Sequence, residues 1–285
     1  MRLVRFSFES APALPGILKD GRVTALPGLA PESSQDMRYV IAEWDRICQT
    51  IDANADGLPL ERVILRAPIA RPGKILGIGL NYADHIAESK GAGVTVPTEQ
   101  VWFCKQATSV NDPNGDIELP KVSAMLDYEV ELVAVIGRSG RHISRGDAPA
   151  SVFGYCIGND VTVRDWQHKT PQWILGKSFD THCPFGPAIV TADEVRDPHA
   201  LGIRCFVNGE LRQNSNTRHL VFDLWSQIIE LSKAMTLEPG DLIFTGTPGG
   251  IGFGSKPYRP LKAGDIVRCE IDGLGAIENR VVPEA

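Results

Sequence analysis

Residues 127–137 read Asp-Tyr-Glu-Val-Glu-Leu-Val-Ala-Val-Ile-Gly. Every position between Glu131 and Gly137 is apolar, which predicts a strand covered on both faces. Side chains alternate across a strand, so Glu129 and Glu131 leave the same face with Cα atoms roughly 6–7 Å apart. Two buried like charges are costly unless a hard cation such as Mg²⁺ or Mn²⁺ neutralises them. The alternative is that both glutamates are ordinary surface charges at a solvated strand end.

Short β-type runs separated by Gly and Pro turns dominate the sequence after about residue 72. The runs cover 74–80, 100–105, 128–136, 188–191, 203–207, 241–245 and 265–271. Helical patterns are few, at 81–90, 165–169 and 220–234. This pattern predicts a β-rich α+β fold and not a regular βαβ alternation.

The first 70 residues have a different pattern. They contain two short alternating stretches with an Asp20-Gly21 turn between strands, a helical stretch over 34–51 and a strand-like run over 61–69. Arg71-Pro72-Gly73 marks a boundary. We therefore expect a small N-terminal α/β domain over 1–70 and a larger domain over 71–285.

Composition indicates a globular protein with a substantial core. The chain has 285 residues, 43% of them hydrophobic and 22% charged. Its formal net charge of −6 argues against a nucleic-acid partner, because an acidic surface repels phosphate. The six cysteines have no zinc-site spacing and are expected to be buried free thiols. No segment is long and apolar enough to predict a signal peptide or a membrane span, so we expect a cytoplasmic protein without a membrane partner.

A third acidic residue follows another apolar run. Residues 153–167 begin as a strand-like segment that ends at Asn159-Asp160, and Arg164 and Gln167 follow four and seven residues later. If a helical turn begins near Asp160, these three side chains share one face and one pocket. The alternative is that Asp160 caps an ordinary helix and pairs with Arg164.

His85 and Glu88 lie three residues apart in a helix that Asn81 can cap. A carboxylate beside an imidazole raises its basicity and fixes its tautomer, an arrangement that suits a general base acting on water. The alternative is a surface helix on which neither side chain has a chemical role.

Two further polar segments are candidates for the same pocket. Lys177 follows a Trp-rich stretch and could stabilise an oxyanion, or it could be a solvated lysine in a loop. The glycine-rich run over 245–254 lacks the features of a nucleotide-binding loop. We interpret it as a tight loop that brings backbone N–H groups and Thr247 to a substrate carboxylate.

Together these segments resemble the fumarylacetoacetate hydrolase family, in the family's order, over roughly residues 72–280. The resemblance is carried by residues 79–88 (GLNYADHIAE), 127–132 (DYEVEL), 159–167 (NDVTVRDWQ), 176–181 (GKSFDT), 207–210 (VNGE) and 237–252 (LEPGDLIFTGTPGGIG). It implies a mixed β-sandwich roll as the catalytic core. It also implies a homodimer and a bound Mg²⁺ or similar divalent cation.

The resemblance also implies roles for individual residues. By motif position, Glu129, Glu131 and Asp160 are the metal ligands, and His85 with Glu88 activates water. Lys177 and Gln167 match the groups on the oxyanion side, while Arg164 and Thr247 match residues that position the substrate. The family's namesake has a fourth acidic ligand some residues before its catalytic histidine. Here Asp84 stands directly before His85, which is the wrong place for that ligand, so we expect three protein carboxylates.

The implied reaction is hydrolysis of the C3–C4 bond of a 2,4-dioxo acid to pyruvate and a second acid. Such substrates are acylpyruvates and 2,4-diketo-3-deoxy sugar acids, for example 2,4-diketo-3-deoxy-L-rhamnonate. One alternative is a 2-oxo acid decarboxylase or an enol–keto isomerase that uses the same metal site without an attacking water. Another is a non-catalytic binding protein. The side chains that shape the far end of the pocket are expected among His168, Trp173 and His182.

Overall fold

A computed structural model describes residues 1–26, 36–51, 56–84 and 97–285. The strands are β1 Arg2–Ser7, β2 Leu14–Lys19, β3 Arg22–Ala25, β4 Leu58–Pro59, β5 Ile64–Arg66, β6 Ile75–Gly79, β7 Val101–Cys104, β8 Val110–Asn111, β9 Ile117–Leu119, β10 Leu126–Asp127, β11 Val130–Ile136, β12 Val152–Asn159, β13 Thr162–Val163, β14 Cys183–Thr191, β15 Gly202–Val207, β16 Glu210–Asn216, β17 Leu242–Phe244, β18 Ile266–Ile271 and β19 Gly275–Pro283. The α-helices are α1 Met37–Ala42, α2 Trp44–Ile47, α3 Ala148–Ser151, α4 Arg164–Gln167, α5 Ile174–Lys177 and α6 Leu224–Ala234. The 3₁₀ turns are Cys48–Thr50, Leu60–Arg62, Ala107–Ser109, Ala192–Glu194 and Thr217–His219.

Two sheets and a short ribbon contain these strands. The larger sheet has the order β4-β3-β2-β1-β14-β12-β11-β17-β6-β7, with β5 on β1 and β8 on β14. A five-stranded sheet has the order β16-β15-β18-β19-β9, and β10 pairs with β13. Most neighbouring strands are antiparallel, while β17–β6, β14–β8 and β19–β9 are parallel. The prediction of a β-rich α+β fold is confirmed.

Strand β11 lies at the centre of the molecule and is buried at every position. Its alternate residues enter two different hydrophobic cores, because side chains alternate across a strand. Leu132, Ala134 and Ile136 pack with residues of β15, β18 and α6. Val133 and Val135 pack with residues of α1, β6 and β14. The apolar run after Glu131 therefore covers both faces of the strand, as predicted, and holds its acidic end rigidly.

The N-terminal residues extend the main sheet. Strand β1 pairs antiparallel with β14, and β2 and β3 follow as a hairpin. The hairpin turns at Asp20 and Gly21, whose positive φ angles of 49° and 71° are typical of the predicted tight Asp-Gly turn. The predicted helix over 34–51 is shorter and interrupted, with α1, α2 and a 3₁₀ turn in the described part. A domain boundary near residue 70 stays a prediction.

The remaining differences are a shifted helix start and strands that were not predicted. The predicted helix over 220–234 begins at Leu224, because the Asp223 side chain accepts the backbone N–H of Ser226 and caps it there. Strands β16 and β19 were not predicted. β16 is almost wholly polar and buries only Gln213, while β19 buries only every second residue over most of its length.

Candidate active site

An acidic cluster lies where β11 begins and β12 ends. The two strands are antiparallel with Val130 opposite Asn159, which places Glu129 beside Asp160. The Asp160 N–H donates to the Glu129 carbonyl oxygen over 2.9 Å, and the Glu129 N–H donates to the Asn159 side chain over 2.9 Å. One carboxylate oxygen from each of Glu129, Glu131 and Asp160 lies within 4.8 Å of the others, and all three residues are buried. Such a cluster of oxygen donors could hold a divalent metal ion.

Three buried cations surround this cluster. The Lys177 ammonium lies 2.7 Å from Glu129 Oε2 and 2.5 Å from Asp160 Oδ2. The Arg164 guanidinium lies 2.7 Å from Glu129 Oε1. The Lys105 ammonium lies 2.6 Å from Asp160 Oδ1 and also donates to the Val161 carbonyl. Sequence reasoning did not find Lys105, because a single lysine at a strand end carries no spacing signal.

Glu131 has the least compensated charge of the three acids. Burial raises its pKa well above the ordinary range, and the nearby charges of Asp160 and Glu129 raise it further. Its Oε2 accepts the backbone N–H of Gly246 over 2.7 Å. Gly246 has a φ of 103°, and a Cβ there would lie 2.8 Å from the Asn81 Cβ, so this close approach requires glycine. The glycine-rich loop therefore contacts the acidic cluster through its backbone.

Arg164 pairs differently from either sequence interpretation. Helix α4 begins at Arg164, after the short strand β13, and not near Asp160. The Arg164 Nε donates to Asp127 Oδ2 over 2.8 Å, and its Nη1 donates to Gln167 Oε1 over 3.0 Å. Both the shared helical face with Asp160 and the i,i+4 pair with Asp160 are wrong, because an extended segment separates the two residues. Arg164 and Gln167 nevertheless reach the cavity beside the cluster.

A cavity of about 450 Å³ opens above the cluster. Much of its wall is apolar or aromatic, which excludes water and strengthens electrostatic interactions at the polar end. The lining residues are Ile78, Gly79, Leu80, Phe103, Glu129, Glu131, Arg164, Gln167, His168, Trp173, Lys177, Thr247, Ile251, Phe253 and Gly254.

Of the three side chains expected at the far end of the pocket, two line the cavity and one does not. Trp173 and His168 line the cavity, and the His168 ring lies 5.5 Å from the Phe253 ring. His182 is absent from the described lining. It is fully buried, and its Nε2–H donates to the Glu118 carbonyl over 2.8 Å. The expectation that His182 could shape the pocket is wrong.

Thr247 lines the cavity, but its hydroxyl already takes part in two hydrogen bonds within the protein. It donates to the Val130 carbonyl over 2.9 Å and accepts the Gln213 side-chain N–H over 2.8 Å. Gln213 is fully buried on β16, and its own carbonyl accepts the Val130 N–H. A ligand can therefore use the backbone of Thr247 or a remaining lone pair, but not its hydroxyl proton. Gln213 was missed because nothing in a polar strand predicts this long-range contact.

His85 and Glu88 lie outside the described residues. The neighbouring Asp84 is described, and its side chain accepts the Ser215 hydroxyl over 2.7 Å. The role of His85 and Glu88 as a base therefore stays a prediction, as do the individual roles of the other candidates.

The described part of the chain contains no helix long and apolar enough to cross a bilayer.

Comparisons with known proteins identify relatives over the whole chain. The family model described as fumarylacetoacetate (FAA) hydrolase C-terminal matches residues 74–282. The chain is 47% identical over 292 aligned positions to oxaloacetate tautomerase fahd2, mitochondrial, of Xenopus laevis, covering 99% of this chain and 90% of that protein. It is 48% identical over 227 positions to oxaloacetate tautomerase FAHD2A, mitochondrial, of Homo sapiens, covering 79% and 71%. A crystal structure of maleylpyruvate hydrolase from Sphingobium sp. SYK-6 with manganese(II) and pyruvate matches with a TM-score of 0.82 and 32% identity, over all of both chains.

These relatives correct three expectations. Hydrolysis of a carbon–carbon bond in a 2,4-dioxo acid, and with it the hydrolase class, is contradicted, because relatives 47–48% identical are named tautomerases. The chain is similar both to these tautomerases and to a maleylpyruvate hydrolase, so the family's motifs do not by themselves specify the reaction. The cytoplasmic expectation is contradicted as well, since the same relatives are named mitochondrial.

Proposed function

Since the chain belongs to the fumarylacetoacetate hydrolase family, we propose that it interconverts the enol and keto forms of oxaloacetate, a four-carbon 2-oxo dicarboxylic acid. The observation that carries this proposal is the 47% identity to an oxaloacetate tautomerase over 99% of the chain. This activity is the enol–keto isomerisation that the sequence offered as an alternative to hydrolysis. The cavity beside the acidic cluster has a volume, about 450 Å³, that suits a small organic acid.

The donor set of the acidic cluster fits Mg²⁺ or Mn²⁺. All three side chains offer carboxylate oxygen, which hard divalent cations prefer, and they lie within 4.8 Å of one another. Glu129, Glu131 and Asp160 would hold the ion. The bound ion would supply a positive charge that stabilises the enolate form of a 2-oxo acid.

The charges of the chain itself favour this occupancy. With every group ionised, the four buried carboxylates Asp127, Glu129, Glu131 and Asp160 face the three buried cations Lys105, Arg164 and Lys177. Among the described residues one negative charge is left over in a buried region, which is costly. A divalent cation reverses that sign, and the site then attracts an anionic substrate.

Tautomerisation moves one proton between C3 and the oxygen on C2 and needs no attacking water. Lys177 is our candidate for the hydrogen-bond donor to the C2 oxygen, and the enol proton itself passes to the base that delivers a proton to C3. Burial lowers its pKa, but the charges of Asp160 and Glu129 outweigh burial, so its pKa lies above the ordinary value and the group stays an ammonium. It therefore acts as a hydrogen-bond donor to a developing oxyanion and not as a base.

The remaining roles complete the proposal. The Gln167 carbonyl accepts from Arg164, so the side chain turns its N–H₂ to other partners and can donate to the same oxygen. His85, with Glu88 beside it, is our candidate for the base that exchanges the proton at C3. Arg164 and the backbone at Thr247 position the substrate carboxylates. We further propose a homodimer that binds this small acid and neither nucleic acid nor membrane.

The test is a direct assay of tautomerisation. Enol oxaloacetate absorbs in the ultraviolet more strongly than the keto form, so its decay is followed with purified protein and Mg²⁺, Mn²⁺ or a chelator. We expect decay faster than the spontaneous rate with metal and a loss of the excess with chelator. A rate equal to the protein-free control under all conditions refutes the proposal. Pyruvate release, measured in parallel, would show decarboxylation instead.

A further inference from the structure

We propose that Asp127 is a positioning residue that fixes Arg164 and the backbone at Gly252–Phe253 in one arrangement beside the cavity. The activity arm of its test rests on the proposed function. Asp127 is absent from the described cavity lining and from the acidic cluster that could hold a metal. It therefore acts through the groups it holds, and not on the substrate directly.

The contacts of Asp127 come from three separate parts of the chain. Its Oδ2 accepts the Arg164 Nε–H over 2.8 Å and the Phe253 N–H over 2.9 Å. Its Oδ1 accepts the Gly252 N–H over 2.8 Å and the N–H of its neighbour Tyr128 over 3.0 Å. The residue is fully buried. Strand β10 pairs with β13, so Asp127 lies opposite Thr162, two residues before Arg164.

All of these partners are donors, and this decides the chemistry. Only an ionised carboxylate offers two acceptor oxygens with no hydrogen of its own. An asparagine of the same shape would direct an N–H₂ group at one pair of donors and leave buried N–H groups without an acceptor. The geometry thus requires an acceptor at both side-chain oxygens, which aspartate offers and asparagine does not.

The glycine-rich loop is built around this carboxylate. A Cβ on Gly252 would lie 2.6 Å from Asp127 Oδ1 and 2.5 Å from the Arg259 carbonyl oxygen, so only glycine allows the contact. The Tyr128 hydroxyl donates to the Gly250 carbonyl over 3.0 Å and ties the same loop to the next residue of the chain. Residues 250–253 are thereby attached to Asp127 and Tyr128 by three hydrogen bonds.

Phe253 is attached to Asp127 through its backbone N–H. Its side chain is 46% exposed, yet it forms part of the cavity wall. Its ring centroid lies 5.8 Å from the Arg164 guanidinium carbon and 5.5 Å from the His168 ring. Its ring also packs edge-on against Tyr258 at 5.7 Å, and with nearly half of its surface exposed it gains only part of the hydrophobic stabilisation, so the backbone that Asp127 holds also sets its place. Asp127 thus controls the wall of the cavity and the direction of Arg164 together.

The test compares Asp127→Asn with Asp241→Asn. Asp241 is equally buried, pairs with Lys74 over 2.9 Å and accepts the Glu238 N–H, but it is absent from the described cavity lining. We expect Asp127→Asn to raise the KM for oxaloacetate roughly tenfold or more, with kcat and metal content changed much less. Hydrogen exchange at the amides of Gly252 and Phe253 should accelerate in this variant alone. Asp241→Asn should lower stability and leave KM unchanged.

A second variant keeps the proposal testable if Asp127→Asn does not fold. Phe253→Ala removes a half-exposed side chain, so folding is preserved, and it should raise KM because the wall that Asp127 positions is lost. An unchanged KM in Phe253→Ala would overturn the proposal. So would amide exchange at Gly252 and Phe253 that is no faster in Asp127→Asn than in Asp241→Asn. The exchange comparison needs no substrate, so it stands even if the wild-type protein has no tautomerase activity.

Discussion

The Lys105 ammonium lies 2.6 Å from Asp160 Oδ1, while Lys177 lies 2.5 Å from the other oxygen of the same carboxylate. Both carboxylate oxygens of Asp160 therefore pair with buried cations, one from before and one from after it in the chain. Lys105 lies at the end of β7 and is absent from the described cavity lining, whereas Lys177 ends α5 and lines it. The two lysines orient one proposed metal ligand, but only Lys177 can reach a substrate.

Lys105→Met should destabilise the protein by about 3–5 kcal/mol, because it removes one of the two buried cations that pair with the Asp160 carboxylate. Metal affinity should fall too, since Asp160 loses one of the two contacts that orient it. Chemical denaturation and metal titration measure the two effects. Lys233→Met is the control: Lys233 pairs with Glu230 on an exposed helix face, and its loss should cost less than about 1 kcal/mol. Equal costs in both variants would contradict the assigned role of Lys105.

Glu131→Gln should have opposite effects with and without metal. The buried Glu131 carboxylate is repelled by Asp160 and Glu129, so a neutral side chain that still accepts the Gly246 N–H should stabilise the metal-free protein. The same change removes a proposed ligand, so added Mg²⁺ or Mn²⁺ should no longer raise the melting temperature. Thermal unfolding in chelator and in metal, with elemental analysis, checks both. Full metal content in the variant would remove Glu131 from the ligand set.

The acidic cluster illustrates what the sequence can predict. The two-residue spacing of Glu129 and Glu131 places both side chains on one face, and the apolar run that follows predicts a buried strand. These are local properties of the sequence, so the prediction does not depend on the long-range contacts of the chain. Asp160 follows from the same logic, as an acid at the end of a second buried strand.

The sequence does not predict the buried contacts of three other residues, Lys105, Asp127 and Gln213. Their partners are set by long-range pairing: β10 on β13 for Asp127, and the approach of β16 to β11 for Gln213. A lone lysine or glutamine has no periodicity that distinguishes a buried contact from a solvated one. Asp127 had one local signal, since it stands two residues before Glu129 and continues the same alternation. The reaction was mistaken for a related reason: the chain is similar both to proteins named tautomerases and to one named a hydrolase, so the family resemblance does not specify the reaction.

Lys177→Met should lower kcat for enol–keto interconversion by about 10²–10³-fold, because it removes the proposed donor to the C2 oxygen. Lys177 also pairs with the proposed ligands Glu129 and Asp160, so metal affinity should fall as well and kcat is compared at saturating metal. Lys169→Met is the matched control, as Lys169 lies 4.2 Å from the Trp166 ring on an exposed surface next to the site. It should keep the wild-type rate. Wild-type kcat in Lys177→Met would mean that the oxyanion is stabilised by other groups.

His182 gives the protein a component of stability that depends on pH. Burial lowers the pKa of His182 to about 4, from an ordinary value of 6.5. Because its folded pKa is depressed, the unfolded chain binds more protons between these values, and the folded state loses stability as pH falls from about 6.5 to about 4. One proton of difference corresponds to at most about 1.4 kcal/mol of unfolding free energy per pH unit.

His182→Gln should flatten this pH dependence while preserving the local structure. A glutamine amide can replace the imidazole N–H that donates to the Glu118 carbonyl, but it does not titrate. Denaturant unfolding of both proteins at several pH values between 4 and 7, in chelator so that metal release does not contribute, measures the difference in slope. His219→Gln, at an exposed histidine, should leave the wild-type slope unchanged. If His182→Gln and the wild type lose stability in parallel on acidification, a different buried group must carry the dependence.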